Sequence, residues 1–256
     1  MAPLLMEPSI RSAQATQLVL GRTAHLLEDR GEWYQLQVAP DGYVGWCHSG
    51  YCRLLDDEAR TAWADGADGW SEGAVVQQGE RVIRVPLGGR VRLIRHGVEL
   101  PDGAVGRVLG GRIAPATTIA AEARAMPVDE WSVKFFGGTP YQWGGTTPWG
   151  ADCSGMVQCT FMARGVALPR DSFLQAETGT EVELASARRG DLLFFSENGR
   201  AVTHVALVGR DHQLVHCSLS AGGFIVEPWT RGTRAGYLRD LVVTARRLPV
   251  PEGPAL

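Results

Sequence analysis

Cys153 constrains this chain more than any other residue, through what surrounds it. It stands in Asp152-Cys153-Ser154-Gly155, just after the glycine-rich run Pro140-Tyr141-Gln142-Trp143-Gly144-Gly145. Two histidines follow on β-rich runs, His204 in Val202-Thr203-His204-Val205 and His216 in Leu214-Val215-His216. A cysteine that opens a helix, with two downstream histidines on strands, is an arrangement for nucleophilic thiol chemistry. The thiolate is the attacking species, and a free thiol is mostly protonated at neutral pH. A helix N-terminus and a neighbouring imidazolium both favour the thiolate.

The helix is legible residue by residue. Asp152 serves as N-cap, Met156, Val157, Thr160 and Phe161 recur at helical spacing, and Gly165 is the stop. Cys153 then lies in the first turn, where backbone N–H groups lack helical partners. Those groups can bind the oxyanion of a tetrahedral intermediate. Ser154 and Gly155 are small and leave room for a substrate.

The runs around the histidines are separated by Gly209-Arg210-Asp211. A three-residue hairpin loop there places His204 opposite His216 on one face. His204 is then the general base, and His216 orients its ring. A lone buried cysteine is ordinarily an inert small hydrophobe. That reading suits Cys159, inside the same helix, better than Cys153. Cys217 should point to the opposite face of its strand from His216. His25, His48, His96 and His212 are assigned no role.

Several segments, in order, resemble the NlpC/P60 cysteine peptidases, which cleave bacterial cell-wall peptides. They are Gly138-Thr139-Pro140-Tyr141-Gln142-Trp143-Gly144-Gly145, Gly150-Ala151-Asp152-Cys153-Ser154-Gly155, Leu168-Pro169-Arg170-Asp171-Ser172 with Gln175, and Arg189-Gly190-Asp191-Leu192-Leu193-Phe194-Phe195. The two histidine strands complete the series. The resemblance covers residues 120–245. It implies a papain-like α+β catalytic domain and a triad of Cys153, His204 and His216. It also implies hydrolysis of the bond between γ-D-glutamate and a diamino acid.

The first half carries shorter, alternating runs. Gln17-Leu18-Val19-Leu20, Ala24-His25-Leu26-Leu27, Trp33-Tyr34-Gln35-Leu36-Gln37-Val38 and Tyr43-Val44-Gly45-Trp46 read as strands of a small barrel. Gly42-Tyr43-Val44-Gly45-Trp46 resembles bacterial SH3-like domains. Residues 57–119 repeat the theme, with strands in 74–76, 81–85, 90–94 and 106–109 and turns at Pro86-Leu87-Gly88-Gly89 and Pro101-Asp102-Gly103. The expected organisation is therefore two small all-β SH3-like barrels, 1–56 and a divergent 57–119, before a peptidase domain at 120–256. Residues 118–136 read as helical with a break at Pro127. The tail after Leu248 is expected to be poorly ordered.

Composition narrows the function by exclusion. With 25 basic and 28 acidic residues the net charge is −3, so no nucleic-acid or membrane partner is expected. Lys134 is the sole lysine, which argues against lysine chemistry and a Gly-Lys-Ser/Thr phosphate loop. Five cysteines give no disulfide framework. Cys47, His48 and Cys52 lack a second ligand pair, so neither metal nor cofactor is expected. No apolar run approaches about 20 residues. The first residues lack a basic segment of the secretory type, so the expected location is the cytoplasm and the expected state a monomer.

A peptide that begins with free L-Ala carries a positive charge, and a closed pocket reads such a charge with carboxylates and hydroxyls. Asp171-Ser172 resembles the amine-binding segment of family members with N-terminal SH3-like modules. Asp152 and Ser154 flank the nucleophile and are expected to touch γ-D-Glu. Tyr43 and Glu7 are expected to complete the pocket. The plainer roles are a helix cap for Asp171-Ser172, barrel packing for Tyr43 and a solvated charge for Glu7. The expected substrate is L-Ala-γ-D-Glu-diamino acid, from murein peptide recycling. The alternatives are a remodelling endopeptidase on intact wall, a wall-binding protein without hydrolysis, and an acyltransferase or amidase on the same fold.

Overall fold

Alternation of apolar and polar residues builds the first module. In the computed structural model, which describes residues 1–197, 199 and 201–249, the chain divides into units 1–119 and 120–256. Strands β1 (Ala2–Leu5), β2 (Gln14–Leu18), β3 (Ala24–Asp29), β4 (Trp33–Val38) and β5 (Val44–His48) form an antiparallel sheet in the order β2-β1-β5-β4-β3. On β4, Leu36 and Val38 point inward and Gln37 outward, as a two-residue period requires. They pack with Ala2, Leu4 and Cys47, and Tyr43 lies against this cluster. Strand β1 was not among the expected strands, because Ala2-Pro3-Leu4-Leu5 is too short to show alternation.

Helix α1 (Asp57–Gly66) is also additional to the sequence expectation. The Asp56 side chain caps it by accepting the Ala59 N–H at 2.7 Å, and Asp57 and Glu58 favour the positive end of the helix dipole. Strands β6 (Gly69–Gln78), β7 (Arg81–Ile94), β8 (Gly97–Glu99) and β9 (Val105–Pro115) then close into a barrel over Val76, Val85, Val91, Val98 and Leu100. The expected turn at Pro86–Gly89 does not occur. Strand β7 runs through it, because Gly88 takes φ +80° and the pairing with β6 slips between Trp70 and Glu72. A bulge bends the strand without ending it. The turn at 101–103 is present, with Gly103 N–H donating to Leu100 O.

The second unit holds the rest of the fold. Helices α2 (Ala116–Ala125) and α3 (Val128–Phe136) break at Pro127, which stands at the N-cap position of α3. A short ribbon, β10 (Thr146–Thr147) and β11 (Gly150–Ala151), leads into α4 (Cys153–Met162), and α5 (Ser172–Gln175) follows. Six strands form one sheet: β12 (Thr180–Val182), β13 (Leu192–Phe195), β14 (His204–Val208), β15 (Leu214–Ser218), β16 (Gly223–Glu227) and β17 (Val242–Arg247). Their order is β12-β17-β13-β14-β15-β16. Strand β13 is buried on both faces, so it reads as the unbroken run Leu-Leu-Phe-Phe. Leu193 and Phe195 pack with Ala206, Val208, Leu214, Ala235 and Leu238. Pro249 is described, whereas the remaining tail, residues 250–256, lies outside the described residues.

The histidine hairpin differs from expectation in its register. Leu207 pairs with Val215 and Val208 with Leu214, so the loop spans 209–213, with a 3-10 turn at Arg210–His212. Continuing that register sets His216 opposite Ala206, with His204 two residues along. Asp211 and His212 take positive φ, which lengthens the loop. Because the shift is even, both histidines stay on one face.

Leu193 is fully buried at the sheet centre. Leu193→Ala is expected to lower unfolding free energy by about 2–5 kcal/mol, read from the denaturant midpoint of the second unit.

Candidate active site

Helix α4 begins where Asp152 caps it. Asp152 Oδ1 accepts the Gly155 N–H at 2.8 Å, which places Cys153 in the first turn. The glycine-rich run passes directly over this point. A Cβ on Gly155 would lie 2.0 Å from the Gly145 carbonyl oxygen, so the close approach requires glycine. Asp152 Oδ2 accepts the Gly144 N–H at 2.8 Å, and the Asp152 N–H donates to Gly145 O at 3.1 Å.

Arg170, quoted in the motif but given no role from sequence, completes the network. It is 2% exposed. Its Nη2 donates to Asp152 Oδ2 at 2.6 Å and its Nη1 to Ser154 Oγ at 2.8 Å. Ser154 Oγ in turn donates to Asp152 Oδ1 at 3.3 Å. Gln175 Nε2 donates to Ser154 O and Pro169 O, at 3.0 and 2.8 Å. The side chains of Asp152 and Ser154, expected to meet γ-D-Glu, are thus engaged with Arg170 and the backbone.

Burial pushes the Cys153 thiol up to about 12, and the Asp152 carboxylate adds to the rise. Backbone N–H groups of Val205 and Ser154, and the Arg170 charge, act in the opposite direction. Desolvation outweighs the donors at the helix N-terminus, and no imidazolium stands beside the sulfur at rest. At rest Cys153 is a thiol. Val205, whose N–H meets the sulfur, directly follows His204.

His204 Nε2 lies 2.8 Å from His216 Nδ1, with the rings nearly T-shaped at 5.0 Å. Phe195 packs beside His204, 5.7 Å between centroids. Burial, and after it the charge of a protonated His216, hold His204 down at about 3. Burial likewise lowers His216 to about 4, helped by Arg234. Both rings rest neutral. Beyond them stand two residues the sequence reading did not select. Glu227 Oε1 is 2.8 Å from His216 Nε2, and Arg234 bonds both carboxylate oxygens of Glu227. The pairing of β16 with β15 brings Glu227 there and the 3-10 segment Arg234–Leu241 brings Arg234, so no local motif announces them.

The remaining expected residues fall as follows. Asp171 occupies the N-cap position of α5 but makes no capping side-chain hydrogen bond, and it is half-buried with Ser172. Tyr141 is held protonated by burial, and the Asp152 carboxylate adds to this, so it remains a donor. Cys159 is buried in α4. Cys217 Sγ donates to Ala151 O at 2.9 Å from the face opposite His216. In the first unit, Tyr43 packs on the core and Glu7 is exposed in the turn after β1, its N–H donating to Ser12 Oγ. None of the five cysteines forms a disulfide. Among the described residues no group of three His, Cys, Asp or Glu side chains is placed to hold a metal, and no helix is long and apolar enough to cross a membrane.

Comparison with known proteins matches these two regions. The NlpC/P60 family model covers residues 138–246, and the bacterial dipeptidyl-peptidase SH3 domain covers 4–49. A gamma-D-glutamyl-L-lysine dipeptidyl-peptidase of Bacillus cereus is 33% identical over 118 residues, 45% of this chain and 34% of that protein. Its Bacillus subtilis namesake is 44% identical over 84 residues, 32% of this chain and 28% of that protein. This chain therefore matches about a third or less of those two relatives. The peptidoglycan endopeptidase RipB of Mycobacterium tuberculosis is 34% identical over 163 residues, 55% of this chain and 67% of that protein. A crystal structure of an NlpC/P60 family protein from Bacillus cereus has the same fold, with TM-score 0.72 and 22% identity over 93% of this chain and 83% of that one.

The neutral, buried imidazoles link stability to pH. His216 is 1% exposed and its folded pKa is depressed to about 4, so the unfolded chain binds more protons between pH ~6.5 and ~4. This contribution is complete above pH ~6.5 and is lost as pH falls through that window. The thermal midpoint should therefore drop on acidification from pH 6.5 to 4. His216→Asn should flatten that slope, and an unchanged slope would contradict the neutral ring.

Proposed function

The chain belongs to the NlpC/P60 family, and on that footing we propose that it is a cysteine peptidase cleaving the γ-D-Glu–diamino acid bond of cell-wall peptides with a free N-terminal L-Ala. The observation that carries this reading is Cys153 in the first turn of α4, with Val205 N–H at its sulfur and His204 in line with His216. His204 Nε2 is engaged with His216, so the other ring nitrogen, Nδ1, takes the thiol proton. The thiolate attacks the γ-carbonyl carbon, and the carbonyl electron pair moves to oxygen, facing first-turn N–H groups. Collapse breaks the C–N bond, and His204 returns its proton to the leaving amine. Water, deprotonated by His204, then hydrolyses the thioester and regenerates the thiol.

Asp171 supplies the carboxylate for the L-Ala ammonium. Its half-buried position next to buried Arg170 supports that role. Asp152 and Ser154 serve the γ-D-Glu side chiefly by holding the site. The closed barrel of β6–β9 is a second, divergent SH3-like module. The match to proteins named gamma-D-glutamyl-L-lysine dipeptidyl-peptidase favours murein peptide recycling. The match to RipB favours a second reading, a peptidoglycan endopeptidase acting on intact wall.

One set of assays separates the two. L-Ala-γ-D-Glu-diamino acid should be cleaved, whereas its N-acetylated form and intact sacculi should be poor substrates. Cys153→Ala should abolish cleavage. Asp171→Ala should lower kcat/KM for the free tripeptide about a hundredfold, or ~3 kcal/mol at ~1.4 kcal/mol per tenfold. Cleavage of sacculi as fast as the tripeptide would select the wall endopeptidase instead.

A further inference from the structure

Two imidazoles in line can share their protons in two ways. Across the 2.8 Å contact, either His204 Nε2 or His216 Nδ1 carries the hydrogen. Only the first leaves a neutral His204 with a bare Nδ1, able to accept a proton from Cys153. It demands that His216 Nδ1 be bare as well, and so that His216 carry its proton on Nε2. The group facing that nitrogen is Glu227, 6% exposed, with Oε1 at 2.8 Å. An ionised carboxylate has no hydrogen to give and can only accept.

We propose that Glu227, clamped by Arg234, is a positioning residue of the reaction: it fixes the proton of each imidazole on Nε2, so that His204 presents a bare Nδ1 to Cys153. Arg234 is the second half of the device. Glu227 alone would draw a proton onto His216, and an imidazolium there has no acceptor for His204. Arg234 bonds both oxygens of Glu227 and neutralises its charge, while its Nη1 is held by Ser220 Oγ at 2.9 Å. Bidentate pairing of this kind fixes the carboxylate in orientation as well as charge. The other titratable group facing His216 is His204 on β14, and Asp152 at the start of α4 acts on His204. Cys217 projects from the opposite face of β15 to Ala151 O. On α3, Asp129 is engaged at the hairpin end by Arg189 Nε and the Arg210 N–H.

The proposal rests on His204 being the base of the peptidase reading, and its test does not need the peptide. ¹⁵N NMR of the full chain should show the Nε2–H form at both His204 and His216; Nδ1–H on His216 overturns the proposal. Alkylation of Cys153 by iodoacetamide, followed at its peptide by mass spectrometry, reads the base directly. Glu227→Gln keeps an acceptor and should stay within about tenfold of wild type, whereas Glu227→Met should slow alkylation by about 10–100-fold. In a His216→Ala background Glu227→Met should cost nothing further. With the tripeptide, the same loss should fall on kcat with KM little changed. Arg234→Met, at a partly exposed side chain, tests the device if Glu227→Met fails to fold. It should move the acid limb of the alkylation rate to higher pH, because His216 then protonates more readily. Alkylation indifferent to Glu227→Met, an equal further loss without His216, or an unmoved limb in Arg234→Met each overturns the proposal. Uncleaved tripeptide with the alkylation pattern intact would instead sink the substrate reading alone.

Discussion

The buried pair of Asp152 and Arg170 is the contact on which the site depends. One carboxylate caps α4, receives the Gly144 N–H of the glycine-rich run, and anchors a guanidinium arriving from beyond the helix. Two other segments, the glycine-rich run and the loop carrying Arg170, are thereby fixed to the turn that carries Cys153. A buried ion pair by itself contributes little net stability, because desolvating two charges costs nearly what their attraction returns. Removing either partner is different, since the other is left buried and unpaired at about 3–5 kcal/mol. Such a pair specifies geometry more than it adds stability. Here the geometry is the position of one sulfur.

Local chemistry explains how much of this was legible in the sequence. The start of α4 was, because a cap, a helical apolar stripe and a stop glycine are all short-range signals. The common face of His204 and His216 was legible too, though not the register. A hairpin loop two residues longer keeps the parity of the strands, and parity alone decides the face. Glu227 and Arg234 were not, since they meet His216 only through the β15–β16 pairing and the 3-10 turn beyond it. Arg170 stood in plain view in Leu-Pro-Arg-Asp-Ser, but nothing local shows that a guanidinium will be buried. In the first unit the unexpected elements have equally local causes. Strand β1 is too short to alternate, and Gly88 marks a bend inside β7 rather than a turn.

The charges around the nucleophile follow a single economy. Asp152 is matched by Arg170, and Glu227 by Arg234, so the fixed ions beside the reacting groups cancel in pairs. What stays neutral at rest is the set assigned to the proposed reaction: a thiol and two imidazoles, each held neutral by desolvation. Moving the Cys153 proton to His204 creates one negative and one positive charge side by side, in a site whose net charge does not change. A low-dielectric interior penalises isolated charge far more than an adjacent ion pair. The penalty that keeps the thiol protonated therefore does not apply in full to the concerted transfer. An uncompensated carboxylate at either end would bias the pair, near Cys153 by opposing the thiolate and near His216 by drawing its proton. The two arginines offset those biases in part, which favours the proposed transfer from Cys153 to His204.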